Sequence, residues 1–364
     1  MKYDVVIVGA GIMGTAAAYY LSKAHKKILL FDQFELENDK NASQDYSRVF
    51  RYVYAKDAFY TKLTIESLKL WKEIEKTAKT KLYFPCGVFL MGKEKNGYSI
   101  QSYKTMKKLN QKVELLEGKR LKSRFPQFAG NAGVLDPYGG ILEAKKAVKV
   151  FATLAVKNGV IVKTKSKAIR INNQSIVLKN GKRIRADKII VTAGSWTKKL
   201  LGNKIRIIPT KQEVVFFKPK NLKLFSKEYF PVFAHLESGF YGFPIHKGID
   251  AIKIANHFPG NPIDPDNINK KVSKSFIDQC QAFFKKYIPQ LEGSTVIKTK
   301  ICPYDMTKNG DFIIDKISDS IIVGTGFSGH GFKFAPLIGK ILADLALKGK
   351  TSTIIKRFRL NRFN

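Results

Sequence analysis

The sequence predicts a mixed α/β fold in which a Rossmann-type dinucleotide-binding domain is interleaved with a second domain rich in β-sheet. Three observations carry this. An apolar run of strand length, YDVVIV at residues 3–8, leads into GAGIMG and then into a helical pattern. A second strand-to-glycine turn, KIIVTAG, ends at Gly194. Near the C-terminus, SIIVGTG passes through GFSGHGFKFAP into another helical pattern. Continuous apolar runs ending in glycine turns are the mark of buried parallel strands feeding helices. The text between these pieces is β-rich and aromatic, so one domain interrupts the other.

Length agrees with two domains, since 364 residues exceed what a single core usually organises. The expected division assigns 1–80, 140–205 and 296–364 to the dinucleotide domain, and 81–139 and 206–295 to the other. Hydrophobic content of 44% is globular rather than disordered. No run of eighteen apolar residues occurs and Met1 leads directly into a strand pattern, so neither a membrane span nor a secretory signal is expected, and the location is read as cytoplasmic. Cys86, Cys280 and Cys302 are odd in number and far apart, which offers neither a disulfide framework nor metal-ligand spacing. The net charge of +36 is spread along the whole chain without a nucleic-acid-binding module. It reads as a solvated lysine-rich surface that also draws in anionic small molecules; nucleic acid is not expected as a partner.

The elements follow in order. Residues 57–79, 144–158 and 272–288 carry apolar positions at helical spacing, with Asp57 placed to cap the first of these. Strands with turns begin near residue 81 and dominate 206–258. Asn180-Gly181 joins two strand patterns and predicts a two-residue type I′ hairpin.

The chemistry begins at Gly9, Gly11 and Gly14, a GxGxxG placed after a strand and at a helix start. The first glycine permits the turn, the second a close approach to a pyrophosphate, the third helix-on-strand packing. The helix N-terminus offers N–H groups to phosphate. Asp32 ends the next strand, where a carboxylate accepts ribose hydroxyls and disfavours a 2′-phosphate.

With Gly194 closing its second glycine turn, the chain resembles the D-amino-acid-oxidase superfamily. Three further segments narrow the resemblance to the sarcosine oxidase family, which includes N-methyltryptophan, pipecolate and fructosyl-amino-acid oxidases. They are ASQDYSRVFRYVY at 42–54, IKTKICPYDMTKNGDFIID around Cys302, and GFSGHGFKFAPLIGK at 326–340. The likeness extends over essentially the whole chain.

The resemblance implies FAD, held by Gly9, Gly11, Gly14, Asp32, Ser43, Arg48, Gly194, Gly329, Gly331, Phe332 and Lys333, and bonded covalently through its 8α carbon to Cys302. It places Arg48 against the flavin, Arg51 and Lys333 on the substrate carboxylate, Lys253 where it promotes reduction of O2, and His257 and Tyr241 beside the substrate. Arg48 and Arg51, if helical, would share a face one turn apart. Strand alternation sets Ala251, Lys253, Ala255 and His257 on one face. His330 takes no assigned role. Two departures stand out: Tyr304-Asp305 where the family often has Tyr-Thr, and Gln44-Asp45 where its sarcosine oxidases have a histidine.

The implied activity is oxidation of the C–N bond of an N-substituted amino acid such as sarcosine. The flavin takes up the hydride at N5, the imine hydrolyses and O2 becomes H2O2. The implied state is a monomer. The rivals are an amine dehydrogenase with another acceptor, a tRNA-modifying flavoenzyme suited to the positive charge, and a non-catalytic flavin-binding protein.

Overall fold

A computed structural model describes residues 2–363. Its first sheet is parallel at its centre, in the order Ile161–Lys163, Ile28–Phe31, Lys2–Val8, Arg183–Val191, Ile321–Thr325. Val5 to Val8 and the whole of Ile28–Phe31 are buried, as strands covered on both faces require. Helices Ile12–Ser22, Ala144–Lys157 and Ala335–Lys348 cover one face. The small residues Ala16 and Ala17 bring Ile12–Ser22 against Gly339 of the C-terminal helix.

The second sheet has eight strands in the order Thr295–Met306, Ile208–Lys218, Ile252–Asn256, Phe240–Phe243, Val232–His235, Val88–Met91, Ala132–Asp136, Glu114–Glu117. Only the Val232–His235 and Val88–Met91 pair is parallel. Helix Lys274–Tyr287 lays Phe276, Phe283 and Phe284 on Phe217, Phe233 and Phe240 of this sheet. Its N-cap Ser273 accepts from the Phe276 N–H. A small antiparallel sheet, Ser47–Phe50, Gly140–Glu143 and Tyr83–Pro85, bridges the two regions of sequence. Among the described residues no helix is long and apolar enough to cross a membrane.

Helices form over Ala58–Ala78, Ala144–Lys157 and Lys274–Tyr287 as the periodicity predicts, with Asp57 accepting from the Tyr60 N–H. Three expectations need correction. Arg48 and Arg51 are not helical: Arg48 lies within strand Ser47–Phe50 and Arg51 just beyond it. Pairing of that strand with Gly140–Glu143 overrides the helical option, and residues three apart in extended chain do not share a face. The Asn180-Gly181 connection is a three-residue loop with Gly181 alone at positive φ (+80°), closed by the Leu178 N–H on the Lys182 carbonyl. That is a type I turn with a glycine bulge, which three-residue hairpin loops favour. The return to the first domain does not come at 296, because Thr295–Met306 is an edge strand of the second sheet along most of Ile208–Lys218. Ile313–Lys316 is the first strand back in the parallel sheet.

The packing of the two helices gives a test. A Cβ at Gly339 would lie 2.7 Å from the Ala16 carbonyl carbon and its Cβ. Gly339→Ala is expected to destabilise the fold by about 1–3 kcal/mol through overpacking, read as a lower urea midpoint at unchanged slope.

Candidate active site

The site is two adjoining cavities with a common wall. The larger, a cleft of about 320 Å³, lies at the C-terminal ends of the parallel strands, where open α/β sheets bind ligands. Gly9 turns there at φ +103°, and a Cβ on it would meet the Thr192 carbonyl oxygen at 2.5 Å. Gly14 is as confined: a Cβ would fall inside the Gly9 carbonyl. At the helix start, Ile12 donates to Ser43 Oγ (3.0 Å), while the Gly11 and Met13 N–H groups have no protein acceptor among the described residues. Asp32 lines the cleft, braced by the Ala10 N–H (2.7 Å) and Phe34 N–H (2.8 Å). Ser43, Gly194, Gly329, Gly331 and Phe332 line it as well. Unpartnered helix-start amides beside a half-buried carboxylate are what a dinucleotide's pyrophosphate and ribose require, so these residues fit FAD.

The smaller cavity is a chamber of about 50 Å³ at the face of the second sheet. Arg48, Tyr304, Gly329 and Phe332 border both cavities and form the common wall. Arg51, Tyr241, Lys253, His257 and Lys333 line the chamber, with Val88, Val232, Ala234 and Phe243 as apolar walls. All the residues read from sequence as substrate-facing thus converge on one space.

Cys302 differs, because it lines neither cavity. Its buried Sγ lies 3.8 Å from Arg48 Nη2 and 3.9 Å from the carbonyl of Ala42, a cleft residue. Burial pushes its thiol up, an effect that Arg48 and Lys300 oppose. Tyr304, two residues on along the same strand, does reach both cavities, and its hydroxyl meets that of Tyr241 at 3.1 Å.

The chamber's charges are unusual. Lys333 is 1% exposed and Arg51 8%. Lys333 Nζ donates to Tyr54 Oη (3.1 Å) and the His330 carbonyl (2.6 Å). Arg51 donates to Tyr98 Oη (2.6 Å) and to the Val53 carbonyl, its guanidinium lying over the Tyr54 ring. Among the described residues neither has a carboxylate within salt-bridge distance. Burial, and then Arg51, hold the Lys333 ammonium well below its ordinary range. An entering anion would reverse that shift. The Lys333 backbone is pinned, since Ser67 Oγ and Trp71 Nε1 both donate to its carbonyl. His330 is neutral and held, with Nε2 donating to the Gly310 carbonyl and Nδ1 accepting from Tyr54. It serves the anchor rather than the chamber's chemistry.

Sequence reading missed three members of this site. Tyr54 and Tyr98 orient the cations, and nothing in one sequence marks them. Asp45, noted only as a departure from a family pattern, is 2% exposed and pairs with Lys253 (2.5 Å) and Arg48 (2.9 Å). Its place three residues before Arg48 was the available signal. The other departure, Asp305, is buried and accepts from the Gly326 N–H (2.7 Å) and Thr325 Oγ1 (3.1 Å), which ties the strand to the glycine loop.

Fold and cleft define a flavin-dependent enzyme, and residues 4–345 match the family model "FAD dependent oxidoreductase". The chain belongs to that family, and it is an FAD-dependent oxidoreductase. Within it, the chain is 33% identical to a monomeric sarcosine oxidase of Bacillus sp. over 377 residues, covering 99% of this chain and 96% of that protein. It is 32% identical to the human peroxisomal sarcosine oxidase over 382 residues, at the same coverage. Among solved structures, an L-proline dehydrogenase from P. horikoshii superposes with a TM-score of 0.86 at 20% identity, covering 100% of this chain and 98% of that one. The amino acid oxidase NikD superposes at 0.84 and 21% identity, covering 98% and 97%. These last two share the fold.

His257 supplies a test independent of any ligand. Burial, then the charges of Arg51 and Lys333, push its imidazole down to about 4. In the unfolded chain a histidine titrates near ~6.5. Its contribution to stability is therefore whole above that pH and is lost as pH falls toward 4, where the unfolded chain takes up a proton that the native chain refuses. Between pH 7 and pH 5 the wild type is expected to lose about 2 kcal/mol more than His257→Asn, measured by urea unfolding.

Proposed function

We propose that the protein is an oxidase of a small N-alkyl amino acid, sarcosine or one close to it in size. It oxidises the C–N bond of the amine and passes the electrons to O2 to give H2O2. One observation carries this: Arg51 and Lys333, two buried cations without a carboxylate of their own, face a chamber that also presents an apolar wall of Val88, Val232, Ala234 and Phe243. A carboxylate held by that pair supplies the missing counter-charge in charge-assisted hydrogen bonds. The ligand's uncharged remainder then lies among Val88, Val232, Ala234 and Phe243, toward the wall shared with the cleft. Curated relatives named sarcosine oxidase support the class of donor. The chamber, at about 50 Å³, suits a short side chain better than an indole or a sugar.

FAD, when bound in the cleft, accepts a hydride from the carbon beside the amine nitrogen and delivers the electrons to O2. The chain's own residues do the rest. Tyr98 and Tyr54 hold Arg51 and Lys333 so that the carboxylate arrives in one orientation, and such positioning is much of the rate. His257, neutral throughout the physiological range, adds no charge to repel a substrate ammonium. The Tyr241–Tyr304 hydroxyl pair lies where the amine passes from chamber to cleft. Arg48 lies at the common wall, and Lys253 offers a cation to the charge that dioxygen acquires on reduction. Cys302 is the proposed point of covalent attachment. The parallel sheet is the cofactor domain, the second sheet the substrate domain, and the enzyme a monomer.

Two experiments test the reading. Under anaerobic conditions sarcosine is expected to bleach the flavin, with pipecolate, proline and N-methyltryptophan slower; loss of bleaching by all of them would overturn it. Arg51→Met and Lys333→Met each remove hydrogen bonds to a charged group, worth ~1.5–3 kcal/mol, so kcat/KM should fall by roughly 10–100-fold. For the attachment, acid-denatured protein should precipitate yellow, and Cys302→Ser should release the colour to the supernatant.

A further inference from the structure

The Asp45 cluster is separate from the carboxylate anchor and touches the dinucleotide cleft through Arg48. Asp45 Oδ2 accepts from Lys253 Nζ at 2.5 Å and from Arg48 Nη1 at 2.9 Å, and Oδ1 accepts from the Tyr46 N–H at 2.8 Å. Lys253 Nζ also donates to the Ser47 carbonyl at 2.8 Å, with Ser47 Oγ no nearer than 3.5 Å. Two of the three ammonium protons are therefore held on the strand side, and Lys253 still lines the chamber. Arg48 is fixed likewise, by Asp45 and by the carbonyls of Ala42 (2.6 Å) and Ser47 (2.8 Å).

We propose that Asp45 is a positioning residue for the step in which dioxygen is reduced: it holds Lys253 protonated and aimed, and Arg48 beside it, at the wall between cleft and chamber. The inference rests on the function proposed above, in which Lys253 serves dioxygen.

The charges around the cluster make Asp45 decisive. Lys253 faces Arg48 and Cys302, with Phe243 against its ammonium at 4.4 Å. Lys300, whose Nζ donates to the Gln44 carbonyl at 2.6 Å, adds a third positive charge nearby without contacting the carboxylate. Tyr241 and Tyr304 face Arg48, and burial keeps both hydroxyls and the Cys302 thiol in their neutral forms. Two cations thus share one carboxylate, with a third close by. Burial works against the Asp45 charge, but Lys253, Arg48 and Lys300 hold the carboxyl well below its ordinary range. Burial, then repulsion from Arg48, brings Lys253 down to about 8, with Asp45 opposing the fall. Removing the Asp45 charge leaves burial and repulsion unopposed, so Lys253 loses its proton at a lower pH.

The test uses the full FAD-loaded protein, reduced by light so that no amine substrate enters, then mixed with O2 between pH 6 and pH 10. The rate at which the oxidised spectrum returns is expected to break near pH 8 in the wild type. In Asp45→Asn the break should move about 1–3 units toward acid, and in Lys253→Met it should vanish. A break that stays in place in Asp45→Asn, or a uniform loss of rate at every pH, would overturn the proposal. A second readout is the stability of the same FAD-loaded protein. Urea stabilities of Asp45→Asn, Lys253→Met and the double variant form a cycle, in which Asp45→Asn should cost less when Lys253 is already methionine. A single variant that fails to fold while the double folds is the limit of the same coupling, and equal costs in both backgrounds would refute the pairing. Light-driven reduction separates the two ideas. If the break shifts but no amino acid bleaches the flavin, the function fails and the role of Asp45 stands.

Discussion

Burying positive charge is the constraint on which the site depends. Arg51, Lys253 and Lys333 are each less than a tenth exposed, and Arg48 lies close beside them. Taking such groups out of water costs several kcal/mol apiece unless a partner supplies the opposite charge. The protein meets that demand in two ways. Asp45 answers Lys253 and Arg48 from within the fold, whereas Arg51 and Lys333 have only neutral oxygens and ring faces. The first pair is complete within the fold, and the second is the one that, in the proposed function, a substrate carboxylate completes.

The scaffold keeps these two arrangements apart while giving them a common wall. Strand Ser47–Phe50 is anchored against Gly140–Glu143, so Arg48 stays with the Asp45 cluster and Arg51 turns to Tyr54 and Tyr98. On the opposite side, Asp305 ties strand Thr295–Met306 to the glycine loop at 324–331, and Tyr304 on that strand borders both cavities. Lys333 hangs from the same loop with its carbonyl held by Ser67 and Trp71. Rigid support of this kind holds a reacting group in one geometry. It also explains the glycine-rich stretch: the backbone there turns repeatedly within contact of Tyr304 and Phe327, leaving no room for larger residues.

Much was legible in the sequence because it was local. GxGxxG before a helix, Asp32 at the end of the next strand and the amphipathic helices are all set by spacing and side-chain type. These survive in the structure within a residue or two. Where the reading failed, a distant partner intervened. A shared helical face for the arginine pair is removed by the pairing of Ser47–Phe50 with Gly140–Glu143, and residues 296–306 stay in the second sheet because they lie along Ile208–Lys218. The site residues were named through family likeness, and the tertiary structure brings Lys253, His257, Tyr241, Arg51 and Lys333 around one chamber.

By itself, then, the sequence determined the glycine turn at a helix start and the carboxylate at the end of the next strand, since each is encoded in a short continuous stretch. Only the tertiary structure decided which cations are paired and which are left waiting. That depends on burial and on contacts between segments some two hundred residues apart, such as Asp45 with Lys253. Neither quantity is written in any local pattern.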